Sequence, residues 1–211
     1  AVALTLAVTH PQAGNLGGGG FAVVRIGGEV TTLDFRETAP AAATRDMYLD
    51  AEGRFIPELA LNGPLAAAIP GVPAALAHLS THYGRLSLQQ TLAPAIRLAR
   101  EGFAVDEAYR RYAAWRLEAL RASEAAAAQF LVQGEVPELG YTLRQPDLAR
   151  TLEHLAEQGH AGFYQGEFAD RLVAGVRASG GLWTREDLKR YAVVEREPLR
   201  ELPPVASRRT R

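Results

Sequence analysis

The spacing of apolar positions divides this chain into a short β-prone head and a long helical remainder. Residues 1 to 8 form a nearly unbroken apolar run that stops at His10-Pro11, where proline turns its predecessor away from helix; the run reads as the second half of a buried helix. Two β-prone runs follow, 21 to 26 and 29 to 35, separated by Gly27-Gly28. A two-residue glycine loop supplies the positive φ that primed hairpin turns require, so the runs are predicted to form an antiparallel hairpin. With Ile26 opposite Glu29, partner numbers sum to a constant and Arg36 falls opposite Gly19. On this register Ala22, Val24, Ile26, Leu33 and Phe35 share one face, while Phe21, Val23 and Val30 share the other with Arg25 and Asp34. Both faces are largely apolar, which predicts a hairpin covered on both sides inside a layered structure.

Residues 40 to 73 lack sustained periodicity and carry turn signals at Asp50, Gly53, Asn62-Gly63 and Pro70-Gly71-Val72-Pro73, so an irregular crossing is expected. Helical spacing then dominates. A helix over 74 to 83 stops at Gly84; Ser87 with Gln90 forms a capping box for 88 to 101, which contains Pro94, expected to kink it, and ends at Gly102. Asp106 is placed to cap one helix running through Tyr112, Trp115 and Leu120, with the alanines 125 to 128 extending helix propensity beyond it. Pro146 suits the first turn of a helix with Leu148, Leu152 and Leu155 that ends at Gly159. Gly166 precedes a further stripe of Phe168, Leu172, Val173 and Val176, closed by Gly180-Gly181; Thr184 with Asp187 opens a short last helix, and 193 to 195 return to a strand. The segment 201 to 211 loses periodicity, gains positive charge and is expected to be a disordered tail, leaving 1 to 200 as one unit without an internal boundary.

Composition removes several function classes. The 211 residues carry a net charge of −1 with both signs interspersed, which argues against nucleic acid or an anionic membrane as partner. There is no cysteine, so disulfides, thiolate metal sites and a Cys nucleophile are excluded. No apolar run is long enough to span a bilayer.

The candidate chemistry sits where the head of the chain folds back. Gly17, Gly18, Gly19 and Gly20 precede a β-prone run rather than a helix, and no Gly-Lys-Ser/Thr follows, so a phosphate loop is disfavoured. Their alternatives are a tight turn into a packed hairpin, or backbone bared so that another group can approach. Arg36-Glu37 lies at a strand exit beside that bare backbone. A guanidinium there suits bidentate capture of a carboxylate, or equally a salt bridge to Asp34 or Glu37. His78 and His82 have helical spacing but no third ligand, and His10, His154 and His160 have no neighbouring nucleophile or carboxylate in sequence; no metal site or triad is indicated.

Thr9-His10-Pro11-Gln12-Ala13-Gly14-Asn15-Leu16-Gly17-Gly18-Gly19-Gly20-Phe21 followed by Asp34-Phe35-Arg36-Glu37-Thr38-Ala39-Pro40 resembles the large-subunit signature of γ-glutamyltranspeptidases. The blocks at 70 to 73, 92 to 103, 162 to 166 and 180 to 188 resemble family blocks in the same order, so the likeness covers residues 1 to about 200. It implies an α+β fold, part of the four-layer αββα arrangement of N-terminal-nucleophile hydrolases. It implies a precursor that cleaves itself, and a nucleophilic threonine heading the small subunit, with its α-amino group as general base. The γ-glutamyl group of a glutathione-like donor would pass through that threonine to water or an amino acid, without a cofactor. By the same resemblance Arg36 binds the donor α-carboxylate, with Glu37 and the glycines in support, and the compartment is periplasmic or secreted. Nothing in the chain matches the small subunit's cleavage site, serine pair or oxyanion glycines, so the chain is expected to be the large-subunit portion, inactive alone. A non-catalytic remnant or helical interaction module is the alternative.

Overall fold

The capping and stop signals along the chain are realised in a computed structural model, which describes residues 1–199. The chain opens with helix α1 (Val2–Thr9) and the strands β1 (Phe21–Ile26) and β2 (Glu29–Asp34). Helix α2 (Pro57–Leu61), a single 3-10 turn, and helices α3 (Val72–Tyr83) and α4 (Leu88–Glu101) follow. Strand β3 (Phe103–Ala104) leads into α5 (Glu107–Trp115), α6 (Leu117–Arg121) and α7 (Glu124–Phe130), then strand β4 (Thr142–Leu143). The last elements are α8 (Pro146–Gln158), α9 (Ala161–Tyr164), α10 (Gly166–Ala178), α11 (Arg185–Arg190) and strand β5 (Val194–Arg196). The proposed disordered tail, 201 to 211, lies outside the described residues.

The main core is helical. Leu92, Ala95 and Ala99 of α4 join Ala149, Leu152 and Leu155 of α8, with Leu4, Ala7 and Val8 of α1 in the same cluster. Alanines on α4 let its backbone approach its partners closely, and each fully buried leucine contributes about 2 kcal/mol. Gln145 joins the three helices with polar bonds: its Nε2 donates to the Val8 carbonyl at 2.7 Å and its backbone N–H to the Ala99 carbonyl at 2.8 Å. Both capping boxes form, at Ser87/Gln90 and at Thr184/Asp187. Asp187 also accepts from the Ala41 N–H at 2.9 Å and so ties the irregular crossing to α11. Partial burial pushes the Asp187 carboxyl up, but the hydrogen bonds from Thr184 and Ala41 outweigh it and hold the group below the ordinary range.

The hairpin register is the one predicted, with Ile26 opposite Glu29 and Phe21 opposite Asp34, and Gly27 and Gly28 both take positive φ. β5 pairs antiparallel with β2, giving a three-stranded sheet in the order β1-β2-β5. A second, two-stranded ribbon of β3 and β4 packs against α5 through Val105, Tyr109, Ala113 and Leu143.

Two expectations are corrected. The hairpin is covered on one side only by the described residues: Leu33 is buried, whereas Phe21 is 63% and Val23 70% exposed. The single helix expected from Asp106 through Leu120 is broken into α5 and α6, and the alanine run belongs to a separate α7 capped by Ser123. Long-range contacts override propensity there. Arg116, at the break, donates to Asn62 Oδ1 at 2.5 Å, and Arg121 Nε donates to the Gly134 carbonyl at 2.9 Å. Trp115, the last residue of α5, is exposed.

Candidate functional site

The β1-β2 ladder continues past its last strand residues, because Gly20 and Phe35 exchange two backbone hydrogen bonds, of 3.2 and 2.9 Å. That continuation puts Gly19 beside the Phe35-Arg36-Glu37 backbone. A Cβ on Gly19 would lie 2.5 Å from the Phe35 carbonyl oxygen and 2.7 Å from both the Glu37 nitrogen and Glu37 Oε2. None of Gly17, Gly18, Gly19 and Gly20 is among the glycines of positive φ, so Gly19 serves close approach rather than a left-handed turn. The space beside it is filled by Glu37 and the strand backbone. Gly18 has a different part: its carbonyl accepts from Gly71 N–H at 2.8 Å and Val72 N–H at 3.0 Å, seating the start of α3 on the glycine run.

Arg36 emerges from this corner with its side chain 58% exposed, and its Nη2 lies 3.4 Å from Glu37 Oε2. Glu37 Oε2 is buried without a hydrogen-bond partner, so the guanidinium is the charge that faces it. Of the two sequence alternatives for Arg36, the salt bridge to Glu37 is present, and the side chain remains more than half exposed. Asp34 is not its ion-pair partner. Its Oδ1 accepts the Arg36 backbone N–H at 3.1 Å, while its Oδ2 takes Arg196 Nε at 2.9 Å and Nη2 at 2.8 Å. The Arg36 N–H, followed by the Arg196 guanidinium, holds the Asp34 carboxyl below its ordinary range. On the opposite side Tyr191 donates its hydroxyl to the Arg36 carbonyl at 2.9 Å. Burial, reinforced by the charges of Asp34 and Glu37, pushes the Tyr191 hydroxyl up to about 12, so it is a donor at neutral pH.

The histidines have structural partners. His78 Nε2 lies 2.8 Å from Glu195 Oε1 and stacks on His82, and His160 Nε2 lies 2.9 Å from the Tyr191 carbonyl. Among the described residues no group of three or more His, Asp or Glu side chains could hold a metal ion, and no helix is long and apolar enough to cross a membrane. Sequence reasoning missed Asp34 as an acceptor for the Arg36 N–H, although an aspartate two residues before the bonded amide is a local turn signal. It also missed Tyr191 and Arg196, which no local pattern connects to Arg36.

A sequence profile described as Gamma-glutamyltranspeptidase matches residues 1–202. The chain belongs to the γ-glutamyltranspeptidase family. It is 44% identical over 201 residues to the glutathione hydrolase proenzyme of Escherichia coli K12, covering 94% of this chain and 35% of that protein. It is 37% identical over 203 residues to that of Bacillus subtilis 168, covering 94% of this chain and 34% of the relative. The chain thus spans about a third of the length of these relatives. The crystal structure of Helicobacter pylori γ-glutamyltranspeptidase superposes with a TM-score of 0.91 at 38% identity, over 94% of this chain and 57% of that one. The Pseudomonas nitroreducens γ-glutamyltranspeptidase complexed with L-DON gives 0.86 at 40% identity, over 93% and 57%. The helix-rich α+β architecture is therefore part of the N-terminal-nucleophile hydrolase fold of this family.

Proposed function

We propose that this chain is the large-subunit portion of a γ-glutamyltransferase/glutathione hydrolase, and that Arg36 grips the α-carboxylate of the γ-glutamyl donor. The observation that carries the reading is the half-open guanidinium of Arg36, set at the exit of β2 in a chain whose family match runs through residues 1–202. A planar fork with outward N–H donors can meet a carboxylate through two parallel hydrogen bonds, which fixes the donor's orientation as well as its affinity. Glu37 holds the guanidinium from behind. The curated relatives are named proenzymes and extend well beyond the region matched. This supports a nucleophilic threonine supplied by the remaining length, the small subunit of the same precursor. Its hydroxyl oxygen attacks the γ-glutamyl amide carbonyl while its α-amino group takes the hydroxyl proton and passes it to the departing nitrogen, so the C–N bond breaks, the amine leaves and a γ-glutamyl ester of the threonine remains; water or an amino acid then attacks that ester, takes the γ-glutamyl group and returns a proton to the threonine oxygen. Exposed Phe21 and Val23 support a sheet that closes against further protein rather than a free-standing helical module.

The test combines the chain with a separately produced, threonine-headed small subunit and follows hydrolysis of a γ-glutamyl anilide. The chain alone should show no turnover and the mixture should. Arg36→Ala should raise the donor KM about 30-fold, the equivalent of about 2 kcal/mol for a lost charge-assisted contact. An unchanged donor KM would remove the assignment of Arg36, and turnover by the chain alone would remove the half-site reading.

A further inference from the structure

Arg36 lies just past the end of β2 with its side chain more than half exposed, yet its backbone is held at both polar ends, at the N–H by Asp34, itself gripped by Arg196, and at the carbonyl by Tyr191. Its N–H is bonded to Asp34 Oδ1, and Asp34 Oδ2 is gripped by two nitrogens of Arg196 on β5. Its carbonyl accepts the Tyr191 hydroxyl, from just beyond α11. Tyr191 is itself immobilised. Its ring stacks on Tyr164 at 5.4 Å with an interplanar angle of 10°, and its carbonyl meets His160, whose ring stacks on Tyr164 at 4.4 Å. Tyr164 is in turn fixed by donating to the Pro70 carbonyl at 2.7 Å and accepting from the Ala74 N–H at 3.3 Å. Gly71 completes the fit, since a Cβ there would collide with both the Phe35 carbonyl oxygen and the Tyr191 hydroxyl.

We infer that Arg196, acting through Asp34, and Tyr191 are positioning residues that lock the Arg36 backbone so that its guanidinium is presented to the donor carboxylate in one orientation. The inference rests on the assignment of Arg36 to that carboxylate. An exposed arginine side chain has several rotatable bonds, and each bidentate contact is lost if its root swings. Two hydrogen bonds on the same residue remove that freedom at the root without touching substrate. The lowered Asp34 carboxyl agrees with this, because the aspartate stays ionised and therefore paired.

The experiment uses the enzyme assembled from this chain and its threonine-headed partner, with Tyr191→Phe, Arg196→Ala, Arg196→Lys and Arg36→Ala, and each of the first two combined with Arg36→Ala. Tyr191→Phe keeps the ring stack and removes only the hydroxyl. Tyr191→Phe and Arg196→Ala should each raise the donor KM about fivefold with kcat changed by less than about twofold. Arg196→Lys should recover part of the loss. In the Arg36→Ala background neither substitution should raise KM further, because the group being positioned is gone. Amide exchange of Arg36 in the full chain, read by NMR, should speed up in Arg196→Ala. The positioning role is overturned by wild-type KM and exchange rates in these variants, and equally by a KM rise of the same size with or without Arg36, which marks a merely structural contact. If Arg36→Ala leaves KM unchanged while Arg36 exchange still responds to Arg196→Ala, the carboxylate assignment fails and the clamp stands.

Discussion

Neighbouring glycines in the run at 17 to 20 have unequal work. A methyl on Gly19 would press into the Phe35 carbonyl and the Glu37 nitrogen, both backbone atoms of a paired strand that cannot swing aside. A methyl on Gly18 would find its nearest neighbours at 3.5 Å, an ordinary contact. Gly19→Ala should therefore lower the denaturant midpoint by the equivalent of about 2 kcal/mol, whereas Gly18→Ala should leave it within about 0.5 kcal/mol of the parent. Equal effects at the two positions would mean that the strand corner is looser than its hydrogen bonds indicate. Arg36 belongs to the same corner, where it pairs with Glu37 while its side chain stays more than half exposed, which leaves the fork free for the carboxylate proposed above.

At the scale of elements, β5 is the strand that joins the sheet to the helices. Beyond its ladder with β2, Arg196 binds Asp34, and Glu195 accepts from Tyr83 of α3 at 3.0 Å and meets His78 at 2.8 Å. The His78 contact first, then the Tyr83 hydroxyl, hold the Glu195 carboxyl below its ordinary range, with His82 adding a favourable charge; Asp34 is likewise held low. Depressed carboxyls contribute stability that is complete above their ordinary values near about 4 and that disappears as pH falls through the depressed native values. An Asp34→Asn/Glu195→Gln variant should accordingly lose less stability than the parent between about pH 6 and about pH 3, as measured by denaturant midpoints at each pH. An identical acid loss in both would show that these two anchors carry no pH dependence.

The elements also show what a sequence can and cannot disclose. The hairpin register, both capping boxes and the stop at Gly159 were legible because each is written in residues two to four positions apart. The division of the region after Asp106 into three helices was not, because Arg116 and Arg121 are good helix formers drawn away by Asn62 and by the Gly134 carbonyl. The register alone placed Arg36 opposite Gly19, but Tyr191 and Arg196 reach Arg36 and Asp34 across separations of 155 and 162 residues. No period or spacing encodes such a meeting.

Across the whole molecule the asymmetry of the sheet matters most. Leu33 of the central strand is fully buried, while Phe21, Val23 and Ile26 stand exposed on β1, an edge strand of the sheet among the described residues. An apolar edge of this kind pairs readily with another chain. Phe21→Ser/Val23→Thr should reduce self-association of the isolated chain in light scattering without lowering its thermal midpoint, and should weaken assembly with a separately produced small subunit. Unchanged scattering and assembly would place the contact surface elsewhere.

The bonds from Tyr191 to Arg36 and from Arg196 to Asp34 have a kinetic consequence as well. β1 and β2 are joined by a two-glycine turn and can close on the microsecond scale, whereas the bonds from Tyr191 and Arg196 must close loops of 155 and 162 residues. During synthesis all the residues of the hairpin are made long before Tyr191. The corner around Arg36 is therefore among the last parts of the chain to mature: its local contact to Asp34 needs no distant residue, but the Tyr191 and Arg196 bonds that complete it wait until nearly all of the helical layer has been made.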